Sequence, residues 1–163
     1  MKVQPSPGVL ELLAALYPTV RWGEVSFFAG IPAPFSLFAK GGITLPNPAG
    51  IRGVHVYVGK WDPCSCGGLA LLVHEALHVL QYQESRGGVS LLHGFTLKYL
   101  WRATWEGGTE RNKYEKPAYE QEAAFRKACD GLPRPLCRDG GIDPEIRDEL
   151  LRRNPSLVRR SSR

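Results

Sequence analysis

Apolar positions near the start of the chain recur at helical spacing. Over residues 9–17, valine, leucine and tyrosine lie three and four positions apart, which places them on one face of a helix. Pro18 ends this pattern because proline cannot continue a helix. Residues 25–58 instead hold short apolar runs separated by glycine and proline, namely Val25–Phe28, Ile43–Leu45 and Val54–Val58. Such runs predict short strands, and their closeness in sequence predicts a small, antiparallel sheet.

The pattern becomes helical after Gly67. Residues 69–82 contain no glycine or proline and are apolar on nearly all sides, which is typical of a buried helix. Further helices are predicted at Val89–Trp105, Glu115–Cys129 and Pro144–Arg152. The sequence therefore predicts an α+β fold, with the sheet packed on the buried helix and the helices from residues 89 and 115 behind it.

The composition is that of an ordinary globular domain. The chain has 163 residues, of which 43% are hydrophobic and 23% are charged, and these fractions argue against a disordered or fibrous protein. No apolar run reaches the roughly 18 residues that a membrane helix needs. The first residues lack the basic and then apolar layout of a signal peptide. We therefore expect no membrane association and a cytoplasmic location, with export by a non-classical route as the alternative.

The net charge of +5 comes from the end of the chain. Residues 151–163 contain five arginines and no acidic residue, and without these arginines 16 basic residues balance 16 acidic ones. Short basic segments of this kind are commonly solvated. We predict one domain over residues 1–152 and a basic, disordered tail over 153–163. Nucleic acid is not an expected partner, since only this tail would attract it.

The predicted buried helix carries a His-Glu-x-x-His motif. His74 and His78 are four residues apart, so both side chains lie on one helix face and can bind one Zn²⁺. Glu75 points beside the metal, where it can act as the general base on a zinc-activated water. Burying these groups among leucine and valine is costly unless they have partners, and a metal ion supplies one.

A third protein ligand is needed to complete a catalytic zinc site. His55 and His93 lie apart from the motif, and no third histidine follows it closely. The missing ligand is therefore expected on the later helix, which offers three glutamates: Glu115, Glu120 and Glu122.

A family resemblance bears on this choice. His74 to Gln81, followed by Asn112-x-Tyr114-Glu115-x-x-Ala118-Tyr119, resembles small bacterial gluzincin-like zinc metallopeptidase domains. It is similar to the HExxH core domain associated with extracellular contractile injection systems and toxins. The resemblance covers roughly residues 9–129 and implies a minimal zincin-like fold with Glu115 as the third ligand; Glu120 and Glu122 are the alternatives.

The sequence departs from this family at one place. Gluzincins often have an acid four residues after the glutamate ligand, where this chain has Tyr119 or, counted from Glu120, Ala124. That acid orients a metal-bound imidazole. Tyr119 is instead a candidate to hydrogen-bond an oxyanion, as are Tyr114 and Tyr99.

The resemblance implies a zinc-dependent metallopeptidase acting on a peptide or protein substrate. The alternative is a non-catalytic, zinc-stabilised module that is toxin-associated or binds a protein. An open coordination position and the behaviour of Glu75→Gln would separate the two.

The four cysteines leave three states open. Cys64-Ser65-Cys66 is too tight for a zinc ribbon. The chain can hold free thiols, one or two disulfides (Cys129–Cys137 or bonds between the two pairs), or a second metal site.

Overall fold

The chain folds into a small α+β domain, as predicted. A computed structural model describes residues 1–33, 35–37, 39, 41–47, 53–84 and 115–155. Its strands are β1 (Lys2–Val3), β2 (Val25–Ala29), β3 (Gly42–Pro46), β4 (Val54–Val58), β5 (Cys137–Arg138) and β6 (Gly141–Ile142). Its helices are α1 (Pro7–Leu16), α2 (Cys66–Glu84), α3 (Glu115–Ala128) and α4 (Pro144–Arg153), with short 3-10 turns at Trp22–Glu24 and Phe35–Leu37.

The main sheet is mixed and has the strand order β1-β2-β4-β3. β1 pairs with β2 and β3 pairs with β4 in antiparallel fashion, but β2 and β4 are parallel, with Val25 opposite Val54. The prediction of an antiparallel sheet is therefore wrong at this pair. The physical reason is the placement of β3 at the edge: the chain reverses on entering β3 and again on leaving it, so β4 runs in the direction of β2.

The core lies between the sheet and the helices. Val54, Val56 and Val58 alternate along β4 and are almost fully buried, as is Phe27 of β2. The apolar face of α1 is completely buried beside them, through Val9, Leu12, Leu13 and Leu16. This packing confirms the predicted helix near residues 9–17 and the predicted strand at Val54–Val58.

Helix α2 is buried along most of its length, as its apolar sequence predicts. It packs against α3 and also contacts β3 and β4. The Tyr17 hydroxyl donates a hydrogen bond to the Val73 carbonyl at 2.8 Å and contacts the Gln121 side chain. Because this hydroxyl touches both α2 and α3, it fixes their position relative to the chain that follows α1.

Two predictions fall outside the described residues: the helix at Val89–Trp105 and most of the basic tail, residues 156–163. Arg153 still belongs to α4, and its guanidinium donates hydrogen bonds to the carbonyls of Ala128 and Asp130. The division of the chain at residues 152 and 153 stays a prediction. Among the described residues, no helix has both the length and the hydropathy needed to cross a membrane.

The cysteines are divided between two states. Cys64 and Cys137 form a disulfide with their Cα atoms 5.1 Å apart, which is one of the pairings left open by the sequence. The bond joins the segment before α2 to β5. Cys66 and Cys129 are free thiols.

Candidate metal centre

Helix α2 brings the two motif histidines together. His74 and His78 lie one turn apart, and their Nε2 atoms are 3.3 Å from each other. Both side chains are buried, with 6% and 5% of the residue surface exposed. The two ring nitrogens therefore face a common point within the protein.

Helix α3 supplies the third group. Glu115 is its first residue and is 3% exposed. One carboxylate oxygen lies 3.3 Å from Nε2 of His74, and the other lies 3.3 Å from Nε2 of His78. The structure thus brings Glu115 to the histidine pair, whereas Glu120 is exposed to solvent on the same helix.

These three residues fit a metal ion. One donor atom from each of His74, His78 and Glu115 lies within 4.8 Å of the others. Atoms at the corners of a tetrahedron about 2.0–2.1 Å from a central ion lie about 3.3–3.4 Å apart. The two Nε2 atoms have this separation, and each lies 3.3 Å from a different oxygen of Glu115. The carboxylate therefore either uses both oxygens or turns one of them towards both histidines when a metal ion binds.

The other nitrogen of each imidazole has an acceptor close by. Nδ1 of His78 lies 2.9 Å from Oε1 of Gln81, one turn further along α2. Nδ1 of His74 lies 3.1 Å from Oε2 of Glu122, an ion-pair contact whose angle falls short of that of a hydrogen bond. A proton held on Nδ1 leaves the Nε2 lone pair available to a metal.

Glu122 therefore places an acid beside Nδ1 of His74, although the sequence has no acid four residues after Glu115. It lies seven residues after Glu115, almost two full turns, so both carboxylates are on the α2-facing side of α3. The family pattern predicts an acid four residues after the ligand, and the sequence indicated Glu122 only as an alternative ligand. The seven-residue spacing was the available signal. Arg126 holds the other oxygen of Glu122 through two hydrogen bonds, of 2.8 and 3.1 Å.

The carboxylates also control the protonation of His74. Burial alone would lower the pKa of this imidazole, but the nearby Glu115 and Glu122 carboxylates outweigh burial and raise the pKa to about 9. Without a metal, His74 therefore carries a proton at neutral pH. A metal ion has to displace that proton in order to bind.

Glu75 lies beside the cluster and is not one of its donors. It is 3% exposed, and its Oε2 accepts a hydrogen bond of 2.7 Å from the Thr44 hydroxyl on β3. Burial raises the pKa of the Glu75 carboxyl, and the neighbouring histidines and Thr44 act in the opposite direction. A raised pKa makes a carboxylate a stronger base, so the position of Glu75 beside the His-His-Glu group suits it to accept a proton. Its role as a base stays a prediction.

Tyr119 lies at the rim of the cluster. Its ring is edge-on to that of His74, with the centroids 4.8 Å apart, and 40% of the residue is exposed. The predicted oxyanion role of Tyr119 stays a prediction. Tyr114 and Tyr99 lie outside the described residues, as does His93. His55 lies on β4 instead, where it contacts Phe28 and Tyr57.

No protein-family model, curated protein or solved structure matches the chain. The likeness to gluzincins therefore rests on the motif residues alone. The structure itself establishes a buried His-His-Glu group that is able to bind a metal ion.

Proposed function

We propose that the chain is a zinc-dependent metallopeptidase-like hydrolase of gluzincin type. His74, His78 and Glu115 would hold the zinc ion, and Glu75 would act as the general base. The observation that carries the proposal is the arrangement of three buried donors around one point, with the carboxyl of a fourth residue fixed beside them by β3.

The chemistry of the donor set favours zinc. Imidazole nitrogen suits zinc and other transition metals, whereas Mg²⁺ and Ca²⁺ prefer sites built entirely from oxygen. Structural zinc sites are usually closed by four cysteine or histidine ligands, but catalytic ones use three protein ligands and leave a position open. The described part of the chain supplies three donors, which is the catalytic pattern.

Each residue then has a defined task. Zinc, when bound, polarises a substrate carbonyl and activates water. Glu75 takes a proton and returns it to the leaving amine, while the Thr44 hydroxyl keeps one oxygen of that carboxyl in place. Glu122 and Gln81 hold the two imidazole rings in orientation. Tyr119 is assigned to the oxyanion.

The position of β3 supports a peptide as the substrate class. β3 is the last strand of the sheet among the described residues, and it contacts Glu75 through Gly42 and Thr44. An extended peptide can add to such an edge through main-chain hydrogen bonds. A peptide bound there would lie beside the carboxyl that acts as the base.

The test combines metal analysis with hydrolysis of unfolded protein substrates. The native chain should bind about one zinc ion per molecule, and alanine at His74, His78 or Glu115 should remove it. Glu75→Gln keeps the shape of the side chain but loses its basicity. We expect this variant to retain zinc and to lose about 10²–10⁴-fold in hydrolysis. Glu120→Gln, on the exposed face of α3, is the matched control and should change neither quantity.

The contrary outcomes are specific. Full metal retention in His74→Ala would place the site elsewhere. Zinc loss in Glu75→Gln would make that residue a ligand or a brace of the metal. A native chain that holds zinc but hydrolyses nothing would favour the non-catalytic module.

A further inference from the structure

Two cysteines outside the disulfide lie at the ends of the two helices that carry the His-His-Glu group. Cys66 is the first residue of α2, and Cys129 directly follows the last residue of α3. Cys66 is half-buried, whereas Cys129 is 1% exposed. The proposed hydrolysis uses neither thiol.

The antiparallel packing of α2 and α3 places these cysteines opposite each other. Going backward along α2, His78 faces Glu115 and His74 faces Glu122. Near the start of α2, a side chain at Gly67 would begin 3.4 Å from the Arg126 guanidinium. Cys66 comes one residue before Gly67 on α2, and Cys129 comes three residues after Arg126, directly beyond the end of α3. The two cysteines are therefore the next pair in this antiparallel arrangement.

The thiols themselves interact. Burial and the hydrogen-bonding contact with the Cys66 thiol raise the pKa of Cys129 to about 12. Cys129 therefore keeps its proton at neutral pH and is shielded from solvent. Cys66 is the thiol that a reagent in solution can reach.

The neighbouring disulfide already joins the segment before α2 to β5, which follows Cys129 in the chain. Cys64 lies two residues before Cys66 and is bonded to Cys137, and the Leu136 amide donates a 3.1 Å hydrogen bond to the Cys64 carbonyl. Cys66 and Cys129 both lie within the loop that this disulfide closes, so a second bond costs little further loop-closure entropy.

We propose that Cys66 and Cys129 are the site of a second disulfide, formed by exchange with a low-molecular-weight disulfide such as oxidised glutathione. The Cys66 thiolate attacks one sulfur of that reagent, forms a mixed disulfide and releases one thiolate. Cys129 then loses its proton, and its thiolate attacks Sγ of Cys66 and breaks the mixed disulfide. The second thiolate leaves and takes up the proton of Cys129. In total, two protein thiols are oxidised and one small disulfide is reduced to two thiols.

The resulting bond would fasten the start of α2 to the end of α3. These are the helices that carry the histidines and Glu115, so the bond would limit their separation. Its formation does not depend on the proposed hydrolysis, and it can be tested without any substrate.

The experiment uses the full chain with the Cys64–Cys137 bond intact. Protein is incubated with oxidised glutathione, and its thiols are counted after unfolding and by intact mass. The native chain should go from two thiols to none and carry no glutathione. Cys129→Ser should instead retain one bound glutathione, because Cys66 has no second thiol to displace it. Cys66→Ser should keep its single buried thiol unmodified.

A native chain that keeps both thiols, or that stops at a glutathione adduct, would overturn the proposal. The double variant Cys64→Ser, Cys137→Ser gives a second measurement, since Cys66 and Cys129 are then the only cysteines. A link within one molecule supports the pairing. Links only between molecules, or a variant that binds zinc through the two thiols without oxidation, contradict it.

Discussion

The substitution Gly42→Ala tests whether β3 confines Glu75, the proposed catalytic base. A Cβ atom at this position would lie 2.5 Å from Oε1 of Glu75, 3.0 Å from its Cδ and 3.1 Å from its Cγ. Nonbonded carbon and oxygen atoms do not approach so closely. Gly42→Ala therefore forces either the strand or the carboxyl to move, and the change adds only one methyl group.

The size of the effect follows from how tightly Glu75 is held. Raising the closest separation from 2.5 Å to even 3.0 Å requires a shift of at least about 0.5 Å. The carboxyl cannot move freely, because it is buried and bonded to Thr44 at 2.7 Å. Overpacking of this kind costs about 1–3 kcal/mol in the free energy of unfolding. A displacement approaching 1 Å at a reacting group can lower a rate by about 10²-fold.

The assay compares Gly42→Ala with Gly41→Ala. At Gly41 a Cβ would lie 3.4 Å from a Leu71 methyl carbon, an ordinary contact. Denaturant unfolding, zinc content and hydrolysis are measured for both variants. We expect Gly42→Ala to retain zinc, since the histidines are untouched, while it loses stability and at least about tenfold in hydrolysis. Gly41→Ala should resemble the native chain.

Two results would refute this reasoning. If Gly42→Ala hydrolyses and unfolds like the native chain, β3 does not confine Glu75. If Gly41→Ala is impaired to the same degree, the cause is a general loss of backbone freedom at the start of β3 and not the contact with the carboxyl.

Three further predictions concern His74. Glu122→Gln removes the charge beside Nδ1 of His74 and should weaken zinc binding by about 10–100-fold in a chelator competition. Glu120→Gln should leave the zinc affinity unchanged. Equal zinc affinities in the native chain and both variants would exclude a positioning role for Glu122. Because the pKa of His74 is raised to about 9 without metal, zinc binding at pH 7 should release about one proton from it, measured by calorimetry in buffers of different ionisation heat. The raised pKa of His74 also adds to the free energy of unfolding of the metal-free protein. This contribution is complete below about pH 6.5 and is lost as the pH rises through 9. The melting temperature of the metal-free protein should therefore fall between about pH 7 and 10. A flat profile, or zinc binding without proton release, would mean that His74 is already neutral.

Local sequence patterns predicted most of the longer helices and strands and the pairing of the two histidines. The strands near residues 25, 43 and 54 and the helices that begin near residues 9, 69 and 115 were predicted because each has its own periodicity of apolar residues. The four-residue spacing of His74 and His78 fixes their common face in any α-helix. These features depend on neighbours along the chain, which a sequence displays directly.

The strands that were not predicted are too short to show a pattern. β1, β5 and β6 have two residues each and exist because of their partners. The parallel pairing of β2 with β4 likewise depends on where the chain places β3. Apolar runs reveal that strands exist, but neighbouring strands of either direction present the same alternation of side chains.

The choice among the glutamates was decided by tertiary packing. In the sequence, Glu115, Glu120 and Glu122 are all candidates for the third ligand. The register of α3 against α2 turns Glu115 towards both histidines and Glu122 towards one of them. The disulfide partners and the contact of Gly42 with Glu75 arise in the same way. Each joins residues more than 30 positions apart, and such contacts are determined by the packing of whole helices and strands, which no local pattern encodes.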